Sequence, residues 1–407
     1  MKILIASAGN VPFVGGSFTY MSQLKKGLEE EGHEVDIFGQ SPSSEVYYLL
    51  NKNVSVNKGL IYLNIENKII PEINKQFPNV HPWITDFETY SYTLEAALAY
   101  FDLESYDIIH AQDVVVARAL GRVKSGKTPL VSTIHGLFSK EILLHLTTSG
   151  TLTEEQRSDV TKYVQNIEYL GCLSSDLVIT PSNWLKNEMM SHFPDFSNQM
   201  IVSPYGMNIE KFKTEMEKPL QFIEDTNKTI IICTARLDPI KGHENLLNAL
   251  AQLKNSNQDW ICWLVGDGEL KNNLKRLTAS LRLNDHVQFL GNRDDVPALL
   301  KRADIFVLSS IQENHPFALM EAQVANKAVV VSDAGGMPEM VTHLQTGLLF
   351  PIGNREELSE RLRSILLNTE LRNRLAKNGN EWAETRFSHV KMVERVLKFY
   401  EKVLLVD

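Results

Sequence analysis

Two positively charged side chains stand close together in one loop of this 407-residue chain. Arg236 and Lys241 are separated by four residues, and Gly242 follows them directly before a helical pattern begins. A diphosphate needs neutralising charge and N–H donors in one place, and a loop that leads into a helix supplies both. The alternative is a solvated loop between two helix caps. The spacing of the cations and the glycine after them favour a diphosphate site.

Two carboxylates give a second signal. Glu313 lies in a loop after an apolar run, and Glu321 lies inside the helix that this loop begins. At its position Glu321 either belongs to a solvated face or accepts hydrogen bonds from a pair of hydroxyl groups. Its neighbours Ala318, Leu319 and Ala322 are apolar, which disfavours a solvated face.

Glycine-containing turns follow three further apolar runs. They are Gly15-Gly16, Gly266-Asp267-Gly268 and Gly335-Gly336. Paired glycines allow the backbone to approach a ligand closely, and the N-terminus of a following helix favours an anion. Each turn by itself is equally explained as a tight connection, so these signals are weaker than the cationic loop.

Short apolar runs alternate with longer amphipathic stretches along most of the chain, which indicates βαβ units and parallel sheets. The runs are 3–6, 35–38, 107–110, 130–134, 177–180, 230–233, 261–265, 287–290, 305–308 and 328–331. The pattern restarts after a polar stretch at 208–228. We therefore predict an α/β protein with two doubly wound, Rossmann-like domains that face a cleft. Ligands of such sheets bind beyond the carboxyl ends of the strands.

The composition is that of a globular protein, with 43% hydrophobic and 22% charged residues. A net charge of -9 disfavours nonspecific nucleic-acid binding and a polybasic membrane anchor. No apolar run approaches the roughly 18 residues of a membrane span, although peripheral membrane contact stays open. Three widely spaced cysteines predict neither a disulfide framework nor a metal site, so we expect a cytoplasmic protein.

The motifs occur in an order that resembles a known family over nearly the whole chain. The sequence is similar to the retaining glycosyltransferases of family 4, also called group 1, which have the GT-B fold. The matching residues are Gly15-Gly16, Asp107-x-x-His110, Thr133-Ile134-His135-Gly136, Thr180-Pro181-Ser182, Pro204-Tyr205-Gly206-x-Asn208, Ala235-Arg236-Leu237-x-x-x-Lys241-Gly242, Gly266-Asp267-Gly268, Glu313-x7-Glu321 and Gly335-Gly336-x-Pro338-Glu339. The glutamate pair together with the Arg/Lys loop is the specific part of this resemblance.

The resemblance implies different binding roles for the two domains. Residues 1–207 would bind the acceptor, residues 208–387 would bind a nucleotide sugar, and a final helix within 388–407 would pack back on the first domain. The expected donor is UDP-linked, the acceptor is unidentified, and the family's reaction needs neither a cofactor nor a metal.

The resemblance also implies roles for single residues. Arg236 and Lys241 would neutralise the departing diphosphate, Glu313 would hold the transferred sugar, and His135 would lie by the reacting centre. The expected donor-binding residues are Gly16, Gly266, Asp267, Asn314, His315, Pro316, Phe317 and Glu321, of which Glu321 would accept hydrogen bonds from the ribose. His110 and Ser182 are candidates on the acceptor side. Two departures stand out: Gln112 replaces a histidine that is common in the family, and Asn314-His315 replaces a Gly-Phe pair.

Other functions on the same fold remain open. They are a sugar-nucleotide epimerase, a phosphorylase, and a non-catalytic coat or scaffold protein. No motif matches the pyridoxal-phosphate lysine of a phosphorylase, and the presence of Arg236, Lys241, Glu313 and Glu321 argues against a decayed enzyme. The sequence contains no Asp-x-Asp, no His-Glu-x-x-His and no Gly-x-Ser-x-Gly, so we expect metal-free chemistry.

Overall fold

The computed structural model describes residues 1–13, 15–196, 198–220, 227–254 and 259–405. The chain divides into two compact units: unit 1 is Met1–Pro204 with Val390–Asp407, and unit 2 is Tyr205–His389. The boundary lies just before the predicted polar stretch at 208–228, of which residues 221–226 lie outside the described residues.

Unit 1 contains one eight-stranded sheet in the order β4-β3-β2-β1-β5-β6-β7-β8. Its strands are β1 (Lys2–Asn10), β2 (Glu34–Gln40), β3 (Val46–Leu49), β4 (Ser55–Asn57), β5 (Ile108–Ala111), β6 (Leu130–Thr133), β7 (Leu177–Thr180) and β8 (Met200–Val202). From β2 to β8 across the sheet all pairings are parallel, whereas β3 and β4 add as an antiparallel edge. The central strands are almost continuously apolar because helices cover both of their faces.

Within the described residues of unit 1, seven α-helices precede the boundary. They are α1 (Gly16–Glu30), α2 (Lys58–Gln76), α3 (Pro82–Leu98), α4 (Val114–Val123), α5 (Phe138–Thr148), α6 (Glu154–Leu173) and α7 (Asn183–His192). In α1, for example, the buried residues Tyr20, Met21, Leu24 and Leu28 recur at helical spacing and form one apolar stripe. Each helix therefore places its apolar face on the sheet or on a neighbouring helix.

Unit 2 contains a six-stranded sheet, all parallel, in the order β11-β10-β9-β12-β13-β14. The strands are β9 (Thr229–Thr234), β10 (Trp260–Val265), β11 (Val287–Gly291), β12 (Ile305–Leu308), β13 (Ala328–Ser332) and β14 (Leu348–Phe350). The helices are α8 (Ile209–Met216), α9 (His243–Leu253), α10 (Lys271–Ser280), α11 (Val296–Arg302), α12 (Phe317–Val324), α13 (Arg355–Leu367) and α14 (Thr369–Arg386). Helix α8 lies within the stretch that we interpreted only as polar.

The last helix, α15 (His389–Leu404), returns to unit 1. Its buried residues Met392, Val393, Val396, Tyr400 and Val403 again recur at helical spacing. The helix packs closely on α1, because a Cβ atom built at Gly27 would lie 2.4 Å from Cγ2 of Val393. A glycine at this position is therefore explained by the close approach of two helices.

The predicted fold class, doubly wound α/β, is confirmed for each unit, and all ten predicted apolar runs form strands. The short strands β3, β4, β8 and β14 were not predicted, because they lie at or next to the sheet edges and are only partly buried, so they lack the continuous apolar run of the central strands. The three cysteines are buried free thiols. Among the described residues, no helix is both long enough and apolar enough to cross a lipid bilayer.

We expect Gly27→Ala to lower the free energy of unfolding by about 1–3 kcal/mol, because the added methyl group overpacks the contact with Val393. In a helix without this contact the same substitution would stabilise the protein by about 0.4–1 kcal/mol. Chemical denaturation of Gly27→Ala, Val393→Ala and the double variant measures the coupling. If the two single effects simply add in the double variant, the packing explanation is wrong.

Candidate functional site

The strand order of unit 2 brings two loops together. From β9 the chain winds outward through β10 to β11, and it then returns to the other side of β9 as β12. The carboxyl ends of β9 and β12 therefore lie side by side where the winding reverses, which is the usual ligand position in such sheets. The loop after β9 carries Arg236 and Lys241, and the loop after β12 carries Glu313.

Lys241 and Glu313 form an ion pair between these loops. The distance from Nζ of Lys241 to Oε1 of Glu313 is 2.6 Å, and the two side chains are only 16% and 11% exposed. The Ser310 hydroxyl also donates to Oε1 of Glu313, at 3.1 Å. Both side-chain hydrogen bonds to this carboxylate use one oxygen, so Oε2 faces no donor from the described residues.

Gly242 allows the two loops to touch. Its φ of 65° lies in the left-handed region, and a Cβ atom there would lie 2.1 Å from the carbonyl oxygen of Ser309. The Ser309 hydroxyl in turn donates to the carbonyl oxygen of Gly242, at 3.0 Å. The glycine that the sequence analysis noted after the cations is thus required by the contact itself, and α9 begins directly after it.

Arg236 is held differently from Lys241. Its side chain is 64% exposed and its Nη2 lies 3.0 Å from Oδ2 of Asp238 within the same loop. Asp238 is only 18% exposed in its side chain, and burial raises its pKa. The exposed guanidinium can therefore leave Asp238 for a stronger anion without disturbing any packed surface.

The Gly-Asp-Gly turn after β10 packs against the cationic loop, residues 235–242. Gly266 has a φ of 137°, and a Cβ atom there would lie 2.1 Å from the carbonyl oxygen of Ala235. The amide of Leu237 donates to the carbonyl oxygen of Asp267, at 3.0 Å. The Asp267 carboxylate binds Lys271 at 2.6 Å, and the pKa of Asp267 is lowered by this hydrogen bond first. These contacts give the turn a structural role; its predicted contact with the donor stays a prediction.

Glu321 lies in the second turn of α12 and is half-buried. Burial raises its pKa to about 7, and the Glu215 carboxylate of α8 contributes further in the same direction. No described residue donates a side-chain hydrogen bond to this carboxylate. A carboxylate that is partly desolvated and unbound is suited to accept hydrogen bonds from a ligand that brings hydroxyl groups.

The residues between the two glutamates mostly point inward. Asn314, His315 and Phe317 are 7%, 6% and 8% exposed. The ring of Phe317 stacks on Tyr205 with centroids 5.4 Å apart, and His315 contacts the same Tyr205 edge-on at 5.3 Å. Pro316 caps α12 without a side-chain hydrogen bond, which leaves the first helical N–H groups to the backbone and to a ligand. The side chains of His315 and Phe317 therefore position this helix terminus.

Unit 1 has its own reversal of winding, between β1 and β5. Helix α1 begins at Gly16 directly after Gly15, and no side chain caps it. Gly16 is exposed, so its backbone is accessible to an anion, as predicted from the sequence pattern. The loops after β5 and β6 lie on the other side of β1 and carry Gln112 and His135.

His135 is held by the residue that replaces the family's second histidine. Its Nε2 lies 3.1 Å from Oε1 of Gln112, whose Nε2 points to the carbonyl oxygen of His110. Because an amide oxygen can only accept, Nε2 of His135 carries the proton. Burial lowers the pKa of His135 to about 3, so the ring is neutral at physiological pH. The half-buried imidazole also packs edge-on against Tyr20, at 5.3 Å.

The two acceptor-side candidates have structural roles here. His110 has no exposed surface; its Nδ1 lies 2.7 Å from the Tyr400 hydroxyl of α15 and its Nε2 lies 2.8 Å from the Thr133 hydroxyl. Ser182 is 1% exposed and its hydroxyl caps α7 by accepting from the amide of Leu185, at 3.1 Å. The geometry gives no support to their predicted contact with an acceptor.

The sequence analysis missed the parts played by Gln112 and Asp238. Both lie in the loops that it singled out, and a polar side chain next to a candidate histidine or arginine is the signal that could have identified them. Within the described ranges, no group of three or more His, Cys, Asp or Glu side chains is placed to hold a metal ion.

Two doubly wound units, each with its polar loops at the carboxyl ends of the strands, are the architecture of GT-B proteins. The family described as "Glycosyltransferase Family 4" matches residues 14–211, and the family described as "Glycosyl transferases group 1" matches residues 215–382. The chain belongs to the GT-B glycosyltransferases of group 1 and family 4, and it is a transferase enzyme.

Similar proteins match along the full chain. An uncharacterized glycosyltransferase of Methanocaldococcus jannaschii is 26% identical over 98% of this chain and 98% of its own. The N-acetyl-alpha-D-glucosaminyl L-malate synthase of Bacillus anthracis is 26% identical over 97% and 96%. Among solved structures, Anabaena HepE in complex with UDP has a TM-score of 0.63 and 20% identity, with 99% and 100% of the two chains covered.

Glu321 predicts a pH dependence of stability. The pKa of Glu321 in the folded protein, about 7, lies above the ordinary glutamate pKa of 4.5. The folded state therefore binds more protons between these two pH values, and stability falls as pH rises from 4.5 to 7. We expect Glu321→Gln to match the wild type near pH 4.5 and to be more stable near pH 8, by at most about 3 kcal/mol. Urea denaturation across this pH range measures the difference. A difference that does not change with pH would contradict the assignment.

Proposed function

We propose that the enzyme transfers a sugar from a UDP-linked donor to an acceptor, with retention of anomeric configuration and without a divalent metal. The observation that carries the proposal is the pairing of Lys241 with Glu313 beside the exposed Arg236, where the winding of unit 2 reverses. This arrangement places two cations at one loop and a carboxylate with one uncommitted oxygen next to them. Support for UDP comes from HepE, whose structures are complexes with UDP and with UDP-glucose.

In the proposed reaction, the bond between the anomeric carbon and the diphosphate oxygen breaks, and an acceptor atom forms the new bond on the same face of that carbon. Negative charge builds on the leaving diphosphate, which takes up the proton of the acceptor. Lys241 is already fixed by Glu313, and Arg236 can exchange Asp238 for the diphosphate because it is exposed. Preorganised cations stabilise such charge without reorganising when the bond breaks. Oε2 of Glu313 accepts a hydrogen bond from the transferred sugar, and Glu321 accepts from the ribose hydroxyls.

The roles in unit 1 are part of the same proposal and rest on the family resemblance. Gly16 offers backbone N–H groups to the phosphates, and His135 serves the sugar as a neutral hydrogen-bonding ring. The remaining contacts of the donor are assigned to Gly266, Asp267 and the backbone of 314–317. Acceptor binding by unit 1 and a cytoplasmic location are also proposed on this basis.

We expect Glu321→Ala to weaken UDP binding by about 1.5–3 kcal/mol, the range for hydrogen bonds to a charged group. Arg236→Ala should lower turnover strongly while it leaves the unfolding midpoint unchanged, because the side chain is 64% exposed. Titration calorimetry with UDP, a turnover assay and thermal denaturation measure the UDP affinity, the rate and the unfolding midpoint. Arg374→Ala, an exposed arginine of α14, is the matched control and should change neither. Unchanged UDP affinity in both site variants would show that the donor site lies elsewhere.

The stereochemistry and the metal requirement are tested on the product. With an α-linked UDP-sugar and an acceptor that supports turnover, we expect an α-linked product and full activity in EDTA. Proton NMR of the anomeric signal distinguishes the two anomers. A β-linked product would assign an inverting reaction, loss of activity in EDTA would assign a metal, and acceptor-independent formation of an isomeric UDP-sugar would assign an epimerase.

A further inference from the structure

Two loops of the sheet in unit 2 carry an arginine and an aspartate at the same spacing. Arg236 and Asp238 lie two positions apart in the loop after β9. Arg293 and Asp295 have the same spacing in the loop after β11. Because these strands run parallel, both loops lie at the same edge of the sheet. The two pairs differ in how completely the carboxylate holds the guanidinium.

The pair after β11 is closed. Nε of Arg293 donates to Oδ1 of Asp295 at 2.7 Å, and Nη2 donates to Oδ2 at 2.5 Å. The two side chains are only 18% and 8% exposed. Two parallel hydrogen bonds between an arginine and a carboxylate make a strong and directional pair. Arg293 is therefore committed to its neighbour.

The pair after β9 is open. Nη2 of Arg236 lies 3.0 Å from Oδ2 of Asp238, and the arginine side chain is 64% exposed. The other carboxylate oxygen, Oδ1, is buried and has no hydrogen-bond partner among the described residues. Asp238 begins the short turn Pro239–Lys241 with its backbone carbonyl, and its side chain does not cap this turn. Arg236 is thus held by one oxygen and can exchange it.

Asp238 is stabilised by keeping Arg236. Its side chain is only 18% exposed, and burial is the first cause of its raised pKa. The Glu313 carboxylate acts in the same direction, and Lys241 offsets part of the effect. A carboxylate that is partly desolvated is destabilised when its cation leaves. The protein therefore loses free energy at Asp238 when Arg236 moves to a diphosphate, and it regains that free energy when Arg236 returns.

We propose that Asp238 competes with the diphosphate for Arg236 and thereby limits how tightly the enzyme holds UDP. This inference rests on the proposed function, in which Arg236 binds the leaving diphosphate. A loop with both cations free would retain the UDP product, whereas the return of Arg236 to Asp238 favours its release. Asp238 does not touch the substrate in this role. It acts through Arg236 and is a positioning residue.

The test is calorimetric titration of the full chain with UDP, for the wild type, Asp238→Asn, Arg236→Ala and the double variant. We expect Asp238→Asn to bind UDP about 3- to 10-fold more tightly, because the ion pair with which UDP competes is gone. Stopped-flow displacement of a fluorescent UDP analogue should show that release slows by most of this factor. In the Arg236→Ala background, the gain from Asp238→Asn should be clearly smaller, because only the general loss of one negative charge remains.

Two further variants control the measurement. Asp285→Asn removes one exposed carboxylate just before β11, at the opposite edge of the same sheet, and should leave the UDP affinity unchanged. Asp238→Ser repeats the titration with a smaller uncharged side chain and should also bind UDP more tightly. The unfolding midpoint of each variant confirms that it is folded.

Three results would contradict the inference. Weaker UDP binding by Asp238→Asn would show that Asp238 holds Arg236 in place for the diphosphate. An equal gain with and without Arg236 would assign a general effect of charge. Unchanged UDP affinity in Arg236→Ala would contradict the proposed role of Arg236 itself, and the inference with it. A purely structural role of Asp238 would predict lost stability and no gain in affinity.

Discussion

The ion pair between Lys241 and Glu313 depends first on the order of the strands in the sheet of unit 2. The two residues are 72 positions apart, and they meet at 2.6 Å because β9 and β12 are neighbours where the winding of unit 2 reverses. A pair this little exposed loses hydration on both charges, and good geometry with a further donor is needed to offset that loss. The Ser310 hydroxyl supplies the donor, and Gly242 supplies the close approach.

The charges of the cationic loop are balanced in the structure, and this has a consequence for binding. Lys241 is paired with Glu313, and Arg236 is paired with Asp238, so these four residues together carry no net charge. A diphosphate can attract Arg236 away from Asp238 because that pair is exposed on the arginine side, whereas Lys241 stays where Glu313 holds it. In the proposed reaction, Lys241 therefore provides a fixed positive charge and Arg236 provides a positive charge that can move to the diphosphate.

The sequence predicted those parts of the fold and site that follow from local pattern. Buried parallel strands are near-continuous apolar runs, so the strands could be located along the chain from the sequence. Arg236, Lys241 and Glu313 became candidate site residues because they lie just after such strands. The structural role of His110 could not be predicted from the sequence, because it depends on a contact with Tyr400. That residue is 290 positions away, on a helix that returns to unit 1. The orientation of side chains at a strand end is decided by such distant partners, and no local spacing encodes it.

Gln112 determines which nitrogen of His135 carries the proton. A neutral histidine at this position could either donate or accept, whereas the Gln112 oxygen can only accept and therefore fixes the proton of His135 on Nε2. Burial lowers the pKa of His135 to about 3, so the ring does not gain a proton near neutral pH. His135 is consequently suited to orient a hydroxyl group by hydrogen bonding and unsuited to deliver a proton. The proposed reaction, in which charge is stabilised at the diphosphate, requires no proton transfer from His135.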